Sequence, residues 1–579
     1  MQKGSTMPGP KSLKRRQEDD RSPGPASGRH NKKAGKNKRE VTYDTYDEAL
    51  DGGVEMEEKG ERYRDGDKAQ RFYEKALDLY KMAYDYEPTF DAAYNQARVL
   101  FTLATSFFLP PSSLSYLTTS INLYRHAMTL TQEVLLSLDA AYNLAQAILE
   151  LAEVLEDLHS DKDEEVRSLR LEAVSILSQV LQGQESFLQR RTPETDAQPE
   201  DDISQDPPAD EMELDGDEAS LEQAASYETY LPTPSTYIDT CLLSLETHLT
   251  LWTTLNPPAI ASAEDQTVVR TILDQAATMT PKSKQAEVDF GEIKVLLALD
   301  DIVWRMHRSE AQLGTVTESQ PSLEKATVAL TSLLTSLDLN PPEEATLHAD
   351  ILTTLAEVEQ TIAHRLMFLS GQAPAGPSQL GQSAWFHLGE AITHLTKALE
   401  LPTSASTPKT FKSSVLHDLS QASLSRARLA RINDTAKRNS AQLIENALAY
   451  GTKAAESISW GWLNPTRLAS SSQIGRKESV ELPWPCGWDA EWLARSIVLQ
   501  ALWTMHVTLN DEALEIAPEA KQRYEGCMKG IVERLKSLEG DRRLSTTDVA
   551  RWVDELEEAE GTLPLREREW WNNVATSIS

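Results

Sequence analysis

Asp91 to Ala104 reads DAAYNQARVLFTLA, and Asp139 to Ala152 reads DAAYNLAQAILELA. The two stretches share DAAYN-x-A, a Leu-Ala pair recurs at their ends, and the offset is 48 residues (139 − 91). Self-similarity at a period of this size is the mark of stacked supersecondary units. Apolar residues in both copies recur at three and four, which is helical spacing. The flanking residues extend the pattern. Ala76, Tyr80 and Ala83 precede the first copy with spacings of four and three, and Pro88 follows. Ser120, Tyr124 and Ala127 precede the second copy with the same spacing, and Ala391, Leu395 and Ala398 repeat it further on. Small residues at such positions let two helices approach closely, and Pro is suited to starting the next turn.

These residues resemble the tetratricopeptide repeat. The likeness is good over 68–155 and fair at 383–402, and the loop Leu109-Pro110-Pro111-Ser112-Ser113 lengthens its unit beyond the usual length of roughly 34 residues. The resemblance implies an all-α, TPR-like α-solenoid of antiparallel helix pairs whose concave groove holds an extended peptide or a partner helix. It also implies groove residues. Asn95 and Asn143 occupy equivalent positions after the aromatics Tyr94 and Tyr142. An amide donates and accepts, so it reads a peptide backbone without regard to sequence. The alternative role is an interhelical cap within the repeat. A groove that clamps a carboxylate tail needs several Lys and Arg. Here Arg98 stands alone and the neighbouring unit offers Glu150, Glu153 and Glu156, so such a clamp is disfavoured.

The chain has 579 residues, with 90 Asp and Glu against 57 Lys and Arg, a net charge of −33. That balance excludes a basic body organised around nucleic acid. Three cysteines, Cys241, Cys486 and Cys527, are too few and too far apart for a disulfide framework or a cysteine-rich zinc site. No apolar run approaches 18 residues, so no membrane-spanning helix is expected, and the polar start lacks a secretory signal.

The charge is unevenly placed. Residues 1–40 hold twelve Lys and Arg and four Asp and Glu, a net of +8 (12 − 4). One basic cluster is Lys14, Arg15 and Arg16; the other is Lys32, Lys33, Lys36, Lys38 and Arg39. The Gly, Pro and Ser spacer between them is expected to be disordered. Two such clusters on a flexible spacer form a bipartite nuclear-import pattern, the other reading being a solvated tail. Residues 193–222 hold thirteen acidic residues and no Lys or Arg. Among them are Glu200, Asp201, Asp202, Asp210, Glu211, Glu213, Asp215, Asp217 and Glu218. Such a segment repels itself and buries no core. It is expected to be a solubilising spacer or a binding arm for a basic partner.

Nine of the twelve tryptophans lie between Trp460 and Trp571, with Trp484, Trp488, Trp492 and Trp503 in one run. Trp488 and Trp492 share a helix face at i, i+4. The first reading is a Trp-rich core that closes the solenoid; the second is an exposed hot spot. No glycine-rich phosphate loop, GxSxG elbow, His-Glu-x-x-His or CxxC occurs, and neither a catalytic nor a metal nor a cofactor site is expected.

The expected organisation is a disordered basic tail at 1–40, a TPR-like block at 41–190 and a disordered acidic linker at 191–226. A helical-repeat block at 227–460 and a Trp-rich helical block at 484–576 follow. The combination resembles nuclear assembly chaperones of the tetratricopeptide class. That resemblance implies a non-enzymatic protein, present in nucleus and cytoplasm, that escorts a basic client such as a ribosomal protein or histone and engages an import receptor. No nucleic acid or membrane partner is expected. The alternative is a structural subunit or adaptor of a nuclear transcription or RNA-processing complex.

Overall fold

The computed structural model describes residues 42–63, 66–158, 162–190, 231–255, 257–309, 320–337, 342–371, 378–402, 408, 410–458, 487–538, 540, 543–560 and 563–578. The basic tail clusters, the acidic segment 193–222, Trp460, Trp462, Trp484 and Cys486 lie outside the described residues. Asp44–Ser579 forms one compact unit.

Eighteen helices and no strand are present among the described residues. In chain order they are α1 Tyr46–Tyr63, α2 Gly66–Tyr86, α3 Phe90–Ser106, α4 Ser112–Leu130, α5 Val134–Leu158 and α6 Asp163–Arg190. Then come α7 Pro234–Thr253, α8 Ala263–Met279, α9 Gln285–Ser309, α10 Pro321–Ser336, α11 Pro342–Gly371 and α12 Gln379–Glu400. The last six are α13 Phe411–Arg428, α14 Asp434–Ser457, α15 Gly487–Asn510, α16 Pro518–Lys536, α17 Thr546–Glu560 and α18 Leu565–Ile578. Each odd-numbered helix packs on the helix that follows it, giving antiparallel pairs stacked as a TPR-like α-solenoid.

The small-residue spacing read from the sequence is the packing surface of the second helices. Ala76, Tyr80 and Ala83 in α2, Ser120, Tyr124 and Ala127 in α4, and Ala391, Leu395 and Ala398 in α12 are all 1% exposed or less. Close approach is strictest in the first pair. A Cβ on Gly53 of α1 would lie 2.4 Å from the Tyr80 ring, and one on Gly60 would lie 2.8 Å from Tyr73. Helix starts carry their own signals. Thr89, Ser262, Ser378 and Asn433 cap α3, α8, α12 and α14, and Thr233 forms a capping box ahead of Pro234.

Polar contacts tie several first helices to the first helix of the next pair. Arg98 of α3 pairs with Glu57 of α1 at 2.8 Å, and Tyr94 of α3 donates to Asp139 of α5 at 2.5 Å. Lys294 of α9 pairs with Glu246 of α7 at 2.5 Å, and Arg365 of α11 pairs with Asp300 of α9 at 2.6 Å. Second helices are linked likewise, through Tyr84 and His126 at 2.7 Å and Arg125 and Glu172 at 2.5 Å.

By length and composition α5 is apolar enough to cross a membrane, where the sequence scan expects no such run. Here it is a packing helix. Leu144, Ala145, Ala147 and Ile148 are buried with Tyr124 of α4 and Leu177 of α6.

The Trp-rich end departs from a simple stack. Helix α15 is buried around its whole circumference, from Trp488 through Leu499 and Trp503 to Thr508. Its first turn belongs to a hydrophobic cluster with Ala104, Leu109, Leu117 and Val154, and the rest belongs to a cluster with α13 and α14. The entry is tight. Gly487 has φ +69°, and a Cβ there would lie 1.9 Å from the Thr105 carbonyl oxygen of α3. Trp503, Trp552 and Trp571 stack into the core, with centroids 6.3 Å apart for Trp503 and Trp571 and 4.8 Å for Trp552 and Trp571. The tryptophans named here are therefore core: Trp488 closes α15 onto α3 and α5, and Trp503, Trp552 and Trp571 join the C-terminal helices to α13 and α14.

Gly540 has φ +65° and open space around it, so it isolates the backbone term. Gly540→Ala should destabilise by about 1–2 kcal/mol for the left-handed backbone. Gly487→Ala should cost about 1–3 kcal/mol more for the clash with Thr105. Urea unfolding midpoints of the two variants check the difference.

Candidate functional site: the face of the first helices

In a stack of helix pairs the first helices line one face, and the repeat motif places Tyr94, Asn95, Arg98, Tyr142 and Asn143 on α3 and α5. The two asparagines, equivalent in sequence, differ in structure. Asn143 donates to the Tyr94 hydroxyl at 3.0 Å and to the Asp139 carbonyl at 2.9 Å. With Tyr94 bonded to Asp139, these three residues form a closed polar knot between α3 and α5. Asn95 is half-buried and makes no side-chain hydrogen bond among the described residues. The reason lies one repeat earlier. Tyr46 stands 48 residues before Tyr94 (94 − 46), but its hydroxyl bonds Thr89 instead. Arg98 is held by Glu57, which also accepts from the Tyr80 hydroxyl at 2.8 Å. Tyr142 is half-buried against the cluster around Tyr124.

Past this knot the face becomes acidic. On α5, Glu156 pairs with Arg170 at 2.5 Å, whereas Glu150 and Glu153 make no ion pair among the described residues. Burial raises the Glu150 carboxyl to about 7, helped by Asp489 of α15, Glu153 and Asp157. Burial and Asp489 raise Glu153 as well, and burial raises Asp489. A second group runs across α11 and α13. Burial raises Asp350 and Glu357, with Lys294 opposing, and raises Asp418 to about 7 with Glu357 adding to it. Asp350 and Glu357 are exposed by surface area, so water reaches them while the neighbouring protein raises their carboxyls. None of Asp350, Glu357 and Asp418 makes an ion pair among the described residues.

At the end of α5, Asp157 is the anchor of the closing helices. It accepts from Trp488 Nε1 at 2.6 Å and pairs with Arg551 of α17 at 2.5 Å. Arg551 also donates to the Asp157 carbonyl at 3.0 Å and lies 3.9 Å over the Trp492 ring. Burial still raises the Asp157 carboxyl, more than Arg551 lowers it. Arg495, one turn past Trp492, pairs with Asp548 at 3.1 Å.

Cys241 and Cys527 are buried free thiols. Burial pushes Cys241 up to about 12, which makes it a poor nucleophile.

Comparison with known proteins adds little. No family model matches the chain, and no curated protein matches it. Among solved structures the chain is similar to yeast Tom70, at 11% identity over 84% of this chain and 97% of that one, with a TM-score of 0.12. The fold assignment rests on the helix pairing itself.

The raised carboxyls have a signed consequence. A carboxyl at about 7 in the fold and near 4.5 in the open chain makes the folded state bind more protons between those values. Stability therefore falls as pH rises through that window. Glu150→Gln should leave stability at pH 4.5 nearly unchanged and add about 1–3 kcal/mol at pH 8. Chemical denaturation at the two pH values checks it.

Proposed function

We propose that this chain is a non-enzymatic, protein-binding helical-repeat scaffold that escorts a strongly basic client, such as a ribosomal protein or a histone, between cytoplasm and nucleus. The observation that carries the reading is the row of carboxylates at Asp350, Glu357 and Asp418, on first helices α11 and α13, that make no ion pair among the described residues and whose pKa values are raised. A carboxylate with a raised pKa gains when a cation arrives beside it, so the face is disposed toward Lys and Arg. Glu150, Glu153 and Asp489 extend the same disposition to α5 and α15. The net charge of −33 steers a basic partner toward the chain from a distance. The acidic segment 193–222 adds encounter area for the same client. The clusters at Lys14–Arg16 and Lys32–Arg39 supply the contact with an import receptor. The rival is a structural subunit or adaptor of a nuclear complex, held by fixed interfaces.

Affinity purification of the tagged full chain at low and high salt separates the two. The expected result is one dominant basic protein, lost as salt rises and absent from the triple variant Asp350→Asn, Glu357→Gln, Asp418→Asn. A fixed set of subunits retained at high salt, and retained by the variant, would replace the escort reading with the adaptor.

A further inference from the structure

An apolar cavity of about 350 Å³ opens on the face of the first helices, between α7, α9 and α11. Its wall is Leu242 and Leu245 of α7, Phe290 of α9 and Leu347 of α11. Its room depends on Gly291, in the middle of α9. A Cβ there would lie 3.0 Å from Leu245 Cδ2 and 3.4 Å from Leu242 Cδ2. Glycine inside a helix is unfavourable by roughly 1 kcal/mol against alanine, so a helix keeps it where close approach or open space is needed. The lip is charged. Lys294 pairs with Glu246 across the opening and lies 4.9 Å over the Phe290 ring, so that pair is internally balanced. Glu287, which pairs with Lys284 at 3.4 Å, and Asp350, which makes no ion pair among the described residues, also stand at the lip, and the acid row continues from Asp350 through Glu357 to Asp418.

We infer that this cavity is an anchor pocket for one aliphatic or aromatic side chain of an extended basic segment, whose flanking Lys and Arg lie along Asp350, Glu357 and Asp418. The inference rests on the basic-client reading and adds what that reading lacks, which is a means of telling one basic segment from another. Charge alone attracts any cationic chain; a pocket that removes one apolar side chain from water selects among them. The volume lies at the low end for ligand sites and admits a bulky side chain. A small apolar molecule would leave the acid row, which runs along α11 and on to α13, without a partner. A basic peptide matches both parts.

Fluorescence anisotropy with three labelled nonapeptides on the full chain tests this. One carries Leu at the centre of a Lys and Arg sequence, the second replaces that Leu with Ser, and the third keeps the Leu among Gly and Ser. Burial of one aliphatic side chain should make the first bind at least tenfold tighter than the second at 150 mM salt, with the third weakest. Gly291→Leu, which puts a side chain against Leu242 and Leu245 in the cavity wall, should bring the first two within twofold; its Cβ already meets Leu245 Cδ2 at 3.0 Å, so its melting temperature is expected to fall, and retained binding of both basic peptides at low salt shows that the folded acidic face is still present. Equal binding of the Leu and Ser peptides by the unmodified chain overturns the pocket and leaves the acidic face standing. Failure of both basic peptides at low salt overturns the acidic face and the pocket with it. Tight binding of the uncharged Leu peptide overturns the choice of occupant, and a preference that survives Gly291→Leu overturns the location. If Gly291→Leu does not fold, the comparison of peptides on the unmodified chain still decides between pocket and no pocket.

Discussion

One carboxylate joins what the chain order keeps apart. Asp157 ends α5, and it meets Trp488 from 331 positions later and Arg551 from 394 positions later. Its side chain is 14% exposed, and Trp488 and Arg551 offset part of what burial costs the carboxylate. With Gly487 pressed on Thr105, this contact decides that α15 lies against α3 and α5 and is enclosed by α13 and α14 on its remaining surface. A repeat array whose units touch only their neighbours has independent ends. This one does not, because its last helices are a packing partner of its second and third pairs.

The inner surface follows from the same arrangement. First helices in a repeat stack are brought side by side, so acids placed at one face of each accumulate. Where a basic residue was available it formed a cross-link, as Glu246 has Lys294 and Asp300 has Arg365. Where none comes within ion-pair distance among the described residues, as at Asp350, Glu357 and Asp418, the carboxyls titrate upward, although Lys294 opposes the shift at the first two. The apolar cavity between α7, α9 and α11 sits beside the second kind, so hydrophobic and electrostatic recognition share one edge.

Much of the fold was legible because helix pairing is a local matter. The spacing of Ala76, Tyr80 and Ala83 encodes a surface that meets the adjacent helix, and all three are fully buried. The same spacing at Ala391, Leu395 and Ala398 located α12 without any help from the irregular stretch before it. The equivalence of Asn95 and Asn143 in the repeat was legible, but their hydrogen bonding was not. Asn143 and Asn95 look alike in a 48-residue alignment, and what separates them is whether a tyrosine one repeat earlier is free to reach across. The Trp-rich end was read as core from composition, yet its docking site on α3 and α5 was not. Nothing local marks Thr105 or Asp157 as partners of residues more than 300 positions away. Gly487 carried the one usable signal, a glycine at a helix start where a polar cap is usual. The acid row escaped for a similar reason: in a chain with 90 acids, only the packing of α11 against α13 singles out three of them.

The position of α15 in the chain has a consequence for synthesis. A ribosome adding roughly 5–20 residues per second needs on the order of half a minute to pass from Asp157 to Trp488. During that interval the first three helix pairs are complete in sequence but lack the helix that covers Ala104, Leu117 and Val154. Their apolar edge stays uncovered until α15 has been made. The nascent chain thus has a timed vulnerability, and it is resolved by α15 rather than by the repeats that formed first.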